Sequence, residues 1–110
     1  MKFTEKSASA QKEILKRKLG GELFAEVTLD TSAFTNGVCK AGNPIAADGT
    51  IGTDSTAIGV LLNDVEQDRP VATILKAFGV VNTTAVTANV GSAVLTSDIQ
   101  AKLGLIVFEA

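Results

Sequence analysis

"TAIGVLLNDVEQDRPVATILKAFGVV", residues 56–81, is the stretch on which the fold turns. Ile58 to Leu62 is an almost unbroken apolar run, as expected of a strand covered on both faces. Asn63 to Arg69 is a polar corner, and Pro70 then opens a second apolar run, "VATILKAFGVV". Proline has no N–H to give to a sheet, so the start of that second strand is expected at an edge or a strand terminus. Two strands joined through a polar corner form the centre of a β-rich body.

Outward from this centre the chain keeps to short elements. In "ELFAEVTL", residues 22–29, Leu23, Ala25, Val27 and Leu29 alternate with Phe24, Glu26 and Thr28, the period of a half-buried strand. Between Asp30 and Thr56 turn signals dominate, with Asn36-Gly37 and Asp48-Gly49 the strongest, and short strands are expected around Val38 and Ile45. "NTTAVTANVGSAVL", residues 82–95, reads as strand-prone and interrupted at Asn89 and Gly91. Ser97 and Gln100 have the spacing of a capping box, predicting a short helix over about Asp98–Leu103 that Gly104 ends, with "LIVFE" as the closing strand.

The 110 residues suit one domain. Five phenylalanines and no Trp or Tyr leave the core to Val, Ile, Leu and Ala, so a partner or self-association has stability to add. Residues 1–21 form a separate arm. Lys2, Lys6, Lys12, Lys16, Arg17 and Lys18 against Glu5 and Glu13 give it a charge of +4, while the rest of the chain carries −6. A helix is expected around residues 10–19, starting from Ser9, with Ala10, Ile14, Leu15 and Leu19 on an apolar stripe and Gly20-Gly21 as its stop. So short a helix needs a surface to form on, either this chain's own body or another protein.

The absence of histidine removes the commonest general base and metal ligand, and with it Ser-His-Asp, Cys-His and His-based zinc arrangements. Asp64, Glu66 and Asp68 offer oxygen ligands along one corner, but without the glycine and distal glutamate of an EF-hand loop they read as a solvated acidic corner. "AGNPIAADG", residues 41–49, lacks the spacing of a phosphate-binding loop. An acidic body without stacking aromatics argues against nucleic acid, and no run reaches the length of a membrane span. Cys39 excludes an internal disulfide and reads as a small residue near a turn. The expectation is therefore no catalytic residue, no metal and no cofactor, with the protein remaining where it is made.

"DSTAIGVLLNDV", residues 54–65, followed by "RPVATILKAFGVVN", residues 69–82, then "TSDIQAKLG" and "LIVFE", resembles the small head decoration proteins of lambdoid-type phages and the capsid-attached domain of phage head fibre proteins. The resemblance covers roughly residues 25–108 and rests on hydrophobic patterns with glycines. It implies a mainly β fold with a short C-terminal helix, a compact β-tulip-like (barrel-like) domain over residues 22–110 preceded by the arm. It also implies a non-enzymatic protein of the virion's outer surface, made in the bacterial host cytoplasm. Such a protein binds the major capsid protein, often as a homotrimer, and cements the expanded head.

The arm stands where that family carries its capsid-binding segment, which makes Lys12, Lys16, Arg17 and Lys18 candidate coat contacts and Ile14 and Leu15 candidate apolar anchors. Asp64, Glu66, Asp68, Arg69 and Lys76 are the candidate inter-subunit pairs. Two other functions are open to such a chain. A head fibre base or adhesion module would bind host-surface carbohydrate, and a small metal-dependent enzyme would take up metal.

Overall fold

A computed structural model of the protein describes residues 14–17, 21–91 and 94–110. Its centre is a four-stranded antiparallel sheet. Strands β2 (Leu23–Thr28), β4 (Pro44–Ala46), β5 (Ala57–Leu61) and β7 (Val71–Ala77) lie in the order β2-β7-β5-β4. The two runs read first in the sequence are thus the inner strands, and Pro70 sits just outside β7, where its carbonyl accepts the Leu29 N–H.

This sheet separates two small cores, which is why β5 has no polar alternation. Val60 opposite Leu75 points into one, and Leu61 opposite Ile74 points into the other. The pairing of β4 with β5 shifts between Ile45–Gly59 and Ala46–Ala57, leaving Ile58 as an extra residue. This bulge changes the parity of the strand, so that Ala57 and Val60 face the same core although an odd number of positions separates them.

The first core is closed by a three-stranded sheet and two helices. Strand β8 (Val80–Asn82) runs between β1 (Leu15–Arg17), antiparallel to it, and β9 (Val107–Glu109), parallel to it. Helix α1 (Thr83–Asn89) packs against β9, and helix α2 (Ser97–Lys102) against β5. Ile14, Val81, Val86, Leu95, Ile99, Leu103 and Ile106 join Val60 and Leu75 there. The second core gathers Leu29, Ala33, Cys39, Ile45, Leu61, Val65, Ala72 and Ile74, and is flanked by the pair β3 (Val38–Cys39) and β6 (Val65–Glu66). The protein is a small, compact, mainly β domain with short helices, and its described strands form three sheets of which none closes into a barrel.

The turn signals act as read. Asn36 and Gly37 both have positive φ, 56° and 81°, and Thr35 and Val38 exchange backbone hydrogen bonds across them, the geometry of a two-residue hairpin. At the second turn Gly49 has φ 88°, and a Cβ there would collide with the carbonyl oxygen of Thr28 at the end of β2. Glycine is therefore needed at that position both for its backbone and for its lack of a side chain.

Three expectations are corrected. Residues 82–95 contain α1 where strand was expected: the Asn82 side chain caps it by accepting the Ala85 N–H at 3.1 Å, and Val86 anchors it in the core. The low intrinsic helix propensity of Thr and Val is outweighed by the cap and by burial. Helix α2 begins one residue earlier than the capping box predicted. Its cap is Thr96, whose hydroxyl accepts the Ile99 N–H, while the Gln100 amide reaches back to the Leu95 carbonyl at 3.0 Å. Finally, within the helix expected around residues 10–19, Leu15–Arg17 is a strand; residues 10–13, 18 and 19 lie outside the described residues. An open edge on β8 and a core seat for Ile14, which is only 1% exposed, outweigh a marginal local helix. Burial of such a side chain contributes about 1.5–3 kcal/mol.

Candidate functional site

The arm reaches the body through Ile14 and Leu15. Ile14 fills the first core and its carbonyl accepts the Asn82 N–H at 2.8 Å, while Leu15 stands opposite Val81 and is half-buried against the same core. Both candidate apolar anchors are thus engaged with the chain's own body, and a role in coat binding would require β1 to leave its seat. Lys16 and Arg17 belong to β1 by their backbone, with Lys16 as the extra residue of a bulge; Lys12 and Lys18 lie outside the described residues.

The five candidate inter-subunit residues do not form one cluster. Asp64, Glu66 and Arg69 line an open cleft of about 730 Å³ together with Asn63, Val71 and Thr73, whereas Asp68 and Lys76 lie outside it. Glu66 is exposed on β6, and the turn that follows is closed by the Arg69 N–H on the Glu66 carbonyl at 3.0 Å. Asp64 does internal work instead. Its Oδ1 accepts the Ala41 N–H at 2.8 Å and the Asn89 amide at 3.1 Å, and the same amide donates to the Ala41 carbonyl at 2.9 Å.

Asp64 also borders a second cleft, of about 640 Å³, with Cys39, Lys40, Asn43 and Asn89. Burial, and after it the nearby Asp64 charge, push the Cys39 thiol up to about 11, against a smaller opposing effect of a hydrogen bond with Asn43. Such a thiol is almost wholly protonated near neutrality, so it is a packing residue of the second core and a poor nucleophile.

Sequence reasoning passed over two further features. Asp30 and Asp48 sit on neighbouring loops joined by the Asp30 N–H on the Gly49 carbonyl. Each carboxylate accepts a hydroxyl at 2.6 Å and a backbone N–H two residues on, Ser32 for Asp30 and Thr50 for Asp48, and these bonds hold both below the ordinary value of 3.8. The D-x-[ST] spacing at both places was the available signal.

The other feature is an exposed apolar rim. Leu23, opposite Ala77 in the sheet, is followed across it by Phe78, whose N–H bonds the Leu105 carbonyl, and by Val107, whose N–H bonds that of Gly79. Phe78 is 54% exposed and Leu105 63%, and Phe78 also has φ 64°, a backbone state that costs a bulky residue energy. No periodicity in the sequence marks this rim, because it is assembled from three separate segments.

Among the described residues no group of three or more Cys, Asp or Glu is placed to hold a metal, and no helix is long and apolar enough to cross a membrane. Comparison with protein-family models and with curated proteins finds no match.

Proposed function

We propose that this chain is a non-enzymatic decoration protein that attaches to the outer surface of a phage capsid and cements the expanded head. The observation that carries the proposal is the basic arm joined to an acidic body: residues 1–21 are at +4, the remainder at −6, and Ile14 and β1 hold the arm to the body. A charged segment hung on a preformed module is suited to seizing an acidic protein surface, with the body left to face its neighbours. The sequence pattern over residues 25–108 supports the same reading, as does the order of a short helix followed by a final strand at the C-terminus.

In this reading the body is a small β-tulip-like module. The coat contacts come from Lys12, Lys16, Arg17 and Lys18, together with Lys2 and Lys6 ahead of β1, and the major capsid protein is the partner. Self-association, most simply as a trimer, multiplies a weak single-arm attachment.

The test is co-sedimentation with emptied, expanded heads built from the coat protein encoded alongside this chain. Because removal of residues 1–21 would take Ile14 out of the core, the informative truncation ends at residue 13 and leaves β1 in place. The full chain is expected to bind saturably and to be released by salt. The truncated chain, and one with Lys16, Arg17 and Lys18 changed to Gln, are expected to bind more weakly. Full-chain binding that salt leaves untouched would remove the arm from the reading, and no binding at all would remove the capsid.

A further inference from the structure

We infer that the seat of Ile14 on β8 is an interaction surface for a second copy of this chain, occupied in exchange by residues 14–17 of that copy. The surface and its ligand are both visible, since β1 already makes the contact within one chain. Leu15 lies opposite Val81 and Arg17 opposite Val80, the Asn82 N–H bonds the Ile14 carbonyl, and the Ile14 side chain is closed into the first core. Nothing in this contact requires β1 to belong to the same polypeptide, so the same pairing made between copies is a domain swap with no new interface to build.

Two properties bear on the opening of β1. It is a three-residue edge strand interrupted by a bulge at Lys16, with Leu15 only half-buried and Ile14, just ahead of it, seated in the core, so it opens at lower free energy than the longer strands of the four-stranded sheet. Its link to β2 also contains Gly20-Gly21, and Gly21 has φ 115° with open space around its Cα. Strand β9, on the other side of β8, is held by Leu103 and Ile106, which bury the segment leading to it. Within one chain the tether keeps β1 at high effective concentration, so exchange is favoured where copies are crowded together. The inference stands on this geometry and is independent of capsid binding.

The Ile14–Asn82 hydrogen bond makes Leu15 and Val81 the close, non-hydrogen-bonded pair, with Cα atoms about 4.5 Å apart and within disulfide reach. A tagged full-length chain carrying Leu15→Cys is mixed with an untagged full-length chain carrying Val81→Cys, incubated and oxidised. A cross-linked pair is expected, with the fraction of chains in it rising about tenfold when total concentration is raised about tenfold, and absent when the tagged chain also carries Ile14→Asp. The Leu15→Cys/Val81→Cys double variant should close within one chain. Closure in the double variant with no cross-link in the mixture would overturn the inference.

A second measurement avoids substitutions. Isotope-labelled and unlabelled wild-type chains are mixed at high concentration, and contacts between the Ile14 methyls of one copy and Val81 or Val86 of another are sought. Detection of such contacts is expected, and their absence where the intrachain contacts are seen would equally overturn it.

Discussion

Asp64 and Asn89, 25 positions apart, clasp the backbone of one residue between them: Asp64 takes the N–H of Ala41 and Asn89 gives to its carbonyl, while the two side chains bond each other at 3.1 Å. The clasp ties the end of α1 and the corner before β6 to the turn that precedes β4. A residue that reads in sequence as one of three corner carboxylates is therefore a structural link between the two cores.

Asp64→Ala leaves the buried Ala41 N–H without its acceptor and is expected to cost about 1–3 kcal/mol. Asp64→Asn retains an acceptor oxygen and should cost less. Urea unfolding midpoints at constant slope check both, and equal midpoints for Asp64→Ala and the parent chain would show that the clasp contributes nothing.

Ile14→Ala should destabilise the protein by about 2–5 kcal/mol, as deletion from a closed core site does, and Leu15→Ala by less, since Leu15 is only half-buried. Thermal or urea unfolding of the full chain measures this. An Ile14→Ala protein as stable as the parent would place the arm off the body.

Phe78 offers a sterically specific contrast. Its φ of 64° suits Asn and penalises β-branched side chains, and the residue is more than half exposed. Phe78→Ile is expected to be less stable than Phe78→Asn by about 1–3 kcal/mol, the reverse of what hydrophobicity alone would give. The order of the two melting temperatures decides it.

Cys39 is expected to resist alkylation at pH 8 in the native protein and to react at once on unfolding. The thiol has a folded value raised to about 11 from 9.0, so the stability associated with keeping it protonated is fully present below pH 9 and is lost as pH rises towards 11. Rapid modification of the folded protein at pH 8 would contradict this.

In acid the order is opposite. Asp30 and Asp48 are held below 3.8 in the folded protein by their Ser32 and Thr50 partners, so their contribution is present above the ordinary carboxylate value and is lost as pH falls through the lowered ones. With no histidine in the chain, stability should be nearly flat from about pH 5 to 8 and fall below about pH 4. Asp30→Asn/Asp48→Asn should make the acid limb shallower, as read by melting temperature against pH.

Much of the body was legible because local rules and tertiary demands agree there. The apolar run at 58–62 and the largely apolar stretch at 71–77 belong to the two inner strands of the central sheet, and Asn36-Gly37 and Asp48-Gly49 turn where few other residues would. Where the two levels compete, local pattern misleads. Thr83–Asn89 has the composition of a strand and is a helix because Asn82 caps it and Val86 is wanted in the core. Residues 15–17 have the spacing of a helix and are a strand because β8 has an edge to fill.

By itself the sequence determined the class of the domain, its central strands, its turns and the charge division between arm and body, all of which depend on residues close together in the chain. Tertiary structure alone decided the parity-changing bulge at Ile58, the Asp64–Asn89 clasp, the apolar rim around Phe78 and the attachment of the arm through Ile14. Each of these is a contact between distant segments, and its energy exists only once another part of the chain has brought the partner into place.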